Sequence, residues 1–221
     1  FTVDSLKQLL NIPENSIIFF LILATECMDR IIQNCVETNT FHFVNGAFAE
    51  RFYKTATELE KNAGKAEVEF GKSFDFENIL IPNSPELICI TQNETSTGVA
   101  IDTEHIYKLK KDNPDSLIAV DIVTSAPYVN LDYSKIDCAF FSVQKGFGLP
   151  AGLGVLIVNQ KCIDKAEYLK SKNINTGSYH NFESLYANAL KYQTTETPNV
   201  LGIYLLGRVC EYLNKCGIEN V

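Results

Sequence analysis

The sequence predicts an α/β protein with three layers, in which a mostly parallel β-sheet is covered by helices on both faces. Short apolar runs alternate with stretches whose apolar residues recur at helical spacing, as in strand–helix–strand units. The apolar runs are nearly continuous, which is typical of parallel strands buried on both faces. The chain has 221 residues, 46% of them hydrophobic and 21% charged, which suffices for a large core in one domain.

The first half of the chain begins with its most apolar stretch, predicted as a strand over 17–23. This stretch is too short to cross a bilayer and follows the acidic Glu14. Helices are predicted over 25–36 and 47–62, because each carries apolar residues at helical spacing. Three further apolar runs are predicted to be strands: 41–44, 66–70 and 87–91.

The second half repeats the alternation. Thr103 is predicted to cap a helix over 103–111. Thr197 and Pro198 are predicted to open a last helix that runs to about residue 214, since threonine suits the cap and proline the first turn. A further helix is predicted over 160–170. The remaining predicted strands are 117–121, 136–142 and 154–158.

Charge and cysteine content exclude several classes of protein. The formal net charge of -8 disfavours a nucleic-acid partner, because phosphate backbones select basic surfaces. Three histidines and the absence of a Cys-x-x-Cys pair leave little for a metal site. The seven cysteines lie mostly in apolar segments and are odd in number, which predicts reduced core thiols and a cytoplasmic protein without a membrane association.

Two predicted strands each end in a charged group. Asp121 closes the run 117–121, and Gln144-Lys145 follows the run 136–142 before a glycine-rich loop. Open α/β sheets bind ligands at the carboxyl ends of their strands. A lysine beside a carboxylate at such an edge suits a pyridoxal phosphate site, where the lysine forms a Schiff base and the carboxylate pairs with the ring nitrogen. These two residues alone also fit a solvated loop lysine and a helix-capping aspartate.

Five ordered segments extend this pattern along nearly the whole chain. They are Ala24-Thr-Glu-Cys-Met28, Asn45-Gly-Ala-Phe-Ala-Glu-Arg51, Gln92-Asn-Glu-Thr-Ser-Thr-Gly-Val99, Asp121 with Gln144-Lys145, and Gln193-Thr-Thr-Glu-Thr-Pro198. In this order they resemble the class V aminotransferases, a branch of the fold type I pyridoxal phosphate enzymes. The similarity is greatest to the phosphoserine, serine–pyruvate and alanine–glyoxylate aminotransferases.

The resemblance implies roles for several residues at the cofactor ring. Lys145 would form the Schiff base and then move the proton at the substrate Cα, while Asp121 would keep the ring nitrogen protonated. Thr95 would place its hydroxyl against the phenolic oxygen of the cofactor. Phe48 would stack on the ring, at a position where relatives often have a tryptophan.

The resemblance also implies where the cofactor phosphate binds. The backbone N–H groups of Ala24 and Thr25 would hold it at the start of a helix, where the helix dipole favours an anion. Gln144 would add a side-chain contact. Gln193 and Thr194 match a segment that reaches the phosphate of a neighbouring subunit, which implies a homodimer with shared sites.

The substrates and domain organisation follow from the same resemblance. Residues 1–221 would form the cofactor-binding large domain, without the N-terminal segment and the C-terminal domain that carries the substrate arginine in relatives. The expected reaction transfers an amino group from a small amino acid, phosphoserine first, to a 2-oxo acid. Serine–pyruvate or alanine–glyoxylate transamination, a cysteine desulfurase-like lyase and a non-catalytic interaction domain remain alternatives. Ile22 and Leu23 depart from the small residues that relatives have before the phosphate.

Overall fold

A computed structural model describes residues 1–82 and 84–220, and its centre is a seven-stranded sheet. The strands of this sheet lie in the order β1-β9-β8-β7-β4-β2-β3. A short antiparallel hairpin of β5 and β6 lies apart from it. In chain order, the strands are β1 (Ile17–Leu21), β2 (Asn39–Val44), β3 (Asn62–Glu67), β4 (Leu87–Thr91), β5 (Asn93–Glu94), β6 (Val99–Ala100), β7 (Leu117–Asp121), β8 (Cys138–Ser142) and β9 (Gly154–Val158).

The sheet is mostly parallel, as predicted. Strands β3, β2, β4, β7 and β8 pair in parallel, and only the pairings of β9 with β8 and β1 are antiparallel. In register, Asp121 lies opposite Thr91 on β4 and Phe140 on β8. The carboxyl ends of these three neighbouring strands therefore meet at one edge, where Asp121 and the turn after β8 can contribute to the same site.

Helices cover both faces of the sheet. They are α1 (Thr2–Leu10), α2 (Ala24–Cys35), α3 (Ala47–Glu58), α4 (Thr103–Asp112), α5 (Gln160–Ser171), α6 (Phe182–Ala189) and α7 (Val200–Cys216). Buried side chains form two apolar clusters: one includes residues of α1, α4 and α7, and the other includes residues of α2, α3, α5 and α6. Sheet and helix layers thus produce the predicted three-layer α/β/α arrangement.

Several predicted boundaries are wrong. The third strand is Asn62–Glu67 and not 66–70, because it is a partly exposed edge strand without an apolar run. The helix predicted over 47–62 ends at Glu58. The N-caps of α4 and α7 are Asp102 and Asn199, whose side chains accept hydrogen bonds from N–H groups of the first turn, in place of Thr103 and Thr197. Helices α1 and α6 were not predicted.

The cysteines pack as core residues. All seven are free thiols in the structure, and six of them are buried. The six buried thiols belong to the two apolar clusters, as the sequence predicts for core cysteines. Within the part of the chain that the structure describes, no helix is both long and apolar enough to cross a membrane.

Candidate active site

A pocket of about 310 Å³ opens at the carboxyl edge formed by β4, β7 and β8. Its wall also includes the first turns of α2 and α3. Seven of the nine residues that the sequence analysis assigns to the site line this pocket: Ala24, Thr25, Phe48, Thr95, Asp121, Gln144 and Lys145. Residues from five distant segments are thus brought together by the sheet topology.

Asp121 is a buried carboxyl group at the end of β7, with 4% of its surface exposed. One of its oxygens accepts a hydrogen bond of 2.8 Å from the backbone N–H of Val123. Burial raises the pKa of Asp121 to about 7; the Val123 N–H opposes this shift, and the negative charge of Glu94 adds to it. Such a carboxyl group is poised to ionise fully only when a cation binds beside it.

Lys145 lies on the turn after β8, and its side chain is exposed to the pocket. Within residues 1–82 and 84–220, its ammonium group forms no ion pair, not even with Asp121 in the same pocket. The backbone N–H of Gly148 donates to the carbonyl of Lys145, closing the turn. A Cβ at Gly146 would lie 2.4 Å from the carbonyl oxygen of Ala126, so the lysine turn packs directly on the loop that follows Asp121.

The first turn of α2 forms the end of the pocket that can bind an anion. The sequence analysis expects the N–H groups of Ala24 and Thr25 as donors, but the Ala24 N–H donates to the hydroxyl of Ser142 at 3.0 Å. A side chain of β8 thus already satisfies this N–H group, and the role of Ala24 at the phosphate stays a prediction. The backbone N–H groups of Thr25 and Glu26 have no acceptor among the described residues, and they form the positive end of the helix dipole; of these two residues, Thr25 lines the pocket.

Gly154 on β9 makes room for the backbone that enters α2. A Cβ at this position would lie 2.6 Å from the carbonyl carbon of Leu23. Ile22 and Leu23 themselves are about half exposed, so their large side chains point away from the core. Leu23 is nevertheless part of the pocket wall, so this departure from the relatives lies at the site itself.

A buried carboxylate fixes the first turn of α3, which carries Phe48. Glu94 is fully buried, and one of its oxygens accepts hydrogen bonds from the N–H groups of Phe48 (3.0 Å) and Ala49 (2.8 Å). The other oxygen accepts from the hydroxyl and N–H of Ser96. Glu94 thereby occupies the N-terminus of α3 from inside the protein, while the ring of Phe48 remains 46% exposed at the pocket.

The sequence analysis missed several polar residues of the pocket. Thr124 lies three positions after Asp121, and its hydroxyl donates to the carbonyl of Asn93 and accepts a hydrogen bond of 3.1 Å from Thr95. The hydroxyl of Thr91 is buried in the pocket wall without a partner among the described residues. Their common signal is a polar residue at or just after the end of a buried strand.

Gln193 and Thr194 lie outside this pocket. They line a separate groove beside α1, β1 and α7. The hydroxyl of Thr194 donates to the carbonyl of Glu196 at 2.7 Å, within its own loop. Neither residue can therefore complete the pocket of its own chain, which leaves the predicted contact with a neighbouring subunit untested.

The residues of the pocket fit the cofactor implied by the resemblance. An unpaired amine, a buried carboxyl group and two free backbone donors suit, in turn, an aldehyde, a protonated ring nitrogen and a phosphate. The unpartnered hydroxyl of Thr91 is a further polar atom that a bound ligand could satisfy.

Comparison with known proteins places this geometry in context. A family model described as Aminotransferase class-V matches residues 3–221. The crystal structure of a phosphoserine aminotransferase from Cytophaga hutchinsonii superposes with a TM-score of 0.96 at 48% identity, covering 98% of this chain and 60% of that one.

Two curated proteins show similarity at lower identity. A phosphoserine aminotransferase from Corynebacterium glutamicum is 26% identical over 216 residues, which cover 97% of this chain and 56% of that protein. A cysteine desulfurase from Wigglesworthia glossinidia brevipalpis is 30% identical over 145 residues, or 64% of this chain and 35% of that protein. The chain spans little more than half the length of the first of these relatives.

Proposed function

The chain belongs to the class V aminotransferase family, and we propose that it is the cofactor-binding large domain of a pyridoxal-phosphate-dependent aminotransferase. One observation carries this proposal. The amine of Lys145 and the carboxyl group of Asp121 face one pocket without pairing to each other, and Thr25, whose backbone N–H has no acceptor among the described residues, forms another part of its wall.

Each residue has a role that follows from its surroundings. Lys145 would bind the cofactor aldehyde, Asp121 the ring nitrogen, and the N–H groups of Thr25 and Glu26 the phosphate. When bound, pyridoxal phosphate supplies an electron sink that stabilises the charge left at the substrate Cα after deprotonation. Lys145 is the base that would take the Cα proton, because its side chain carries the only amine in the pocket wall among the described residues.

Asp121, Phe48 and Thr95 would control electrostatics and orientation. A cation beside Asp121 favours its ionised form, so the carboxylate and a protonated ring nitrogen stabilise each other. The exposed ring of Phe48, held by the bonds from its helix to Glu94, offers a flat apolar surface for stacking. The hydroxyl of Thr95 is already oriented by Thr124.

The proposed substrates are a small amino acid, phosphoserine first, and a 2-oxo acid. The names of the relatives support phosphoserine. Among the described residues no arginine lines the pocket: Arg51 pairs with Glu58, and Arg208 with Glu211. The group that binds the substrate carboxylate would therefore come from outside this pocket wall.

Serine–pyruvate and alanine–glyoxylate transamination remain alternatives of the same chemistry. Desulfuration of cysteine is a second class, and the Wigglesworthia relative speaks for it. Against it, no cysteine is present in the described pocket wall, and burial raises the pKa of the nearby Cys27 thiol well above its ordinary value.

We also propose a homodimer in the cytoplasm, supported by the loop position of Gln193 and Thr194 and by the buried free thiols.

Labelling of Lys145 tests the proposal. Purified protein should absorb in the visible range after addition of pyridoxal phosphate, and borohydride should fix the cofactor to the peptide containing Lys145. Lys145→Ala should abolish the label. Lys111→Ala, which changes an exposed lysine on α4, should leave it intact. Label on other lysines alone would contradict the assignment.

A half-reaction screen then identifies the amino donor. Phosphoserine, serine, alanine and cysteine would each be mixed with the cofactor-loaded protein, and conversion to the pyridoxamine form would be followed by absorbance. Conversion by phosphoserine first is expected. Formation of alanine from cysteine, with sulfide released only when a thiol reductant is added, and no conversion by any amino acid, would favour the desulfurase alternative.

A further inference from the structure

His180 lies fully buried between two carboxylates outside the pocket. Its Nδ1 is 2.6 Å from an oxygen of Glu26, and its Nε2 is 2.7 Å from an oxygen of Glu196. The ring of Tyr179 stacks on the imidazole with a centroid distance of 3.8 Å. Two contacts this short require two shared protons, so the histidine and the glutamates form one charge-assisted network.

The first carboxylate of this network belongs to the end of the pocket that can bind an anion. Glu26 is in the first turn of α2, and its second oxygen accepts a hydrogen bond of 2.9 Å from the backbone N–H of Ile22. The side chain of Glu26 is therefore bonded to the backbone just before α2, beside the turn whose N–H groups are free. His180 contacts the other oxygen of the Glu26 carboxylate. This contact keeps the carboxylate from folding over the free N–H groups of the first turn.

The second carboxylate belongs to the loop with Gln193 and Thr194. The side chain of Glu196 also accepts a hydrogen bond from the hydroxyl of Thr195, while its backbone carbonyl accepts one from Thr194. Burial would raise the pKa of Glu196, but the bonds from Thr195 and His180 lower it overall. The imidazole is thus the direct connection between the first turn of α2 and this loop.

The geometry points to His180 as a positioning residue for the phosphate end of the cofactor site, which it links to the loop of Gln193 and Thr194. This inference rests on the proposed function. The histidine does not line the pocket and would touch neither cofactor nor substrate. It would act through Glu26, by fixing the direction of the free N–H groups of Thr25 and Glu26.

The conformation of His180 suggests a variant that should fold. Its φ of 53° lies in the left-handed region, which asparagine adopts more readily than most residues. His180→Asn therefore preserves the backbone while its shorter side chain loses both contacts. His180→Gln retains a longer side chain with an N–H donor, so it should recover part of the effect.

A comparison of two ligands separates positioning from general stability. Pyridoxal phosphate and pyridoxal both carry the aldehyde for Lys145, but only the former has the phosphate. His180→Asn is expected to weaken binding of pyridoxal phosphate by about tenfold or more, the usual effect of losing a charge-assisted hydrogen bond. Pyridoxal binding should stay within a factor of about two. Both affinities can be measured by absorbance titration.

His42→Asn is the matched control. His42 is an equally buried histidine on β2, where it contacts Thr40, and it is not part of the pocket wall. Its ring packs on Phe52 and Tyr53 of α3, so its substitution should lower the urea midpoint, and it should not affect pyridoxal phosphate selectively over pyridoxal. Glu196→Gln should weaken pyridoxal phosphate binding, and its effect should not add to that of His180→Asn, because both changes break the same network.

Each outcome has a separate meaning. If the unsubstituted protein binds neither ligand, the proposed function fails. If it binds both and His180→Asn weakens neither, or weakens both equally, then His180 has no specific role at the phosphate end and the inference is overturned. A loss confined to pyridoxal phosphate, with partial recovery in His180→Gln, supports it.

Discussion

Asp121 shows how a single residue can be costly to the fold and useful to the site. Its carboxyl group is buried with one backbone hydrogen bond from Val123, and another carboxylate, Glu94, lies near enough to raise its pKa. Without a cationic ligand, the carboxyl group therefore stays protonated to a much higher pH than an ordinary aspartate. Ionisation of such a group opposes folding unless a positive charge accompanies it.

Substitution of Asp121 by asparagine should consequently make the stability less dependent on pH and should also lower the activity. Its folded pKa of about 7 exceeds that of the unfolded chain, so the folded form binds more protons between about pH 4 and 7. The stability of the unliganded protein should fall as pH rises through this window, by up to about 4 kcal/mol. Asp121→Asn should remove this fall, as measured by urea unfolding at several pH values.

The same variant should retain pyridoxal phosphate while losing catalysis. An amide cannot hold the ring nitrogen protonated, so proton removal from the substrate Cα should slow by roughly two to three powers of ten. Single-turnover absorbance measurements would report this step. Turnover close to that of the unsubstituted protein would show that another group protonates the ring.

The start of α2 is the element on which phosphate binding would depend. Its approach to the sheet is set by Gly154, which has no side chain to displace the backbone of Leu23. Gly154→Ala should push Leu23 away, since the added Cβ would lie well inside normal contact distance. Affinity for pyridoxal phosphate should fall about tenfold or more, with a modest loss of stability.

Gly98→Ala is a suitable control for that experiment. Gly98 has a φ of 71°, so alanine is strained there, but no atom lies within 4 Å of the added Cβ. Stability should decrease while cofactor affinity stays unchanged. Equal affinities in the Gly154 and Gly98 variants would show that the position of Leu23 does not control phosphate binding.

At the scale of elements, the sequence predicts strands better than it predicts the contacts of their ends. Strands β4, β7, β8 and β9 are fully buried and form apolar runs, and their predicted bounds agree with the structure to within two residues. The edge strand β3 contains mostly small and polar residues, so its pairing with β2 leaves no apolar pattern.

In the candidate site, too, residues at the ends of buried strands are easier to predict than residues that depend on distant contacts. Asp121 and Lys145 could be predicted because Asp121 ends a buried strand and Lys145 comes shortly after another. Glu94 and His180 could not, because their partners lie far away in the chain and are brought near only by the folded sheet.

For the whole molecule, the position of Gln193 and Thr194 away from their own pocket favours a shared site. Large apolar side chains near this loop are mostly exposed, as expected for a surface that another subunit covers. They are Leu190, Tyr192, Val200 and Leu201.

Complementation between two inactive variants tests this arrangement. Lys145→Ala and Thr194→Ala protein should each be impaired, but a mixed dimer contains one site with both native residues. Refolding the two together should recover part of the cofactor binding, up to one site in each hybrid dimer. If Thr194 acted within its own chain, mixing would recover nothing. Sedimentation would show whether dimers form.

Glu94 makes the two helix N-termini at the pocket unequal in their attraction for an anion. Two helices, α2 and α3, begin at its wall, and each would attract an anion by its partial positive charge. The carboxylate of Glu94 neutralises α3 from within, whereas α2 keeps its free donors. An elongated ligand with one anionic end should therefore bind in one orientation, with that end at α2. Its reactive end is then oriented before any covalent bond to the protein forms.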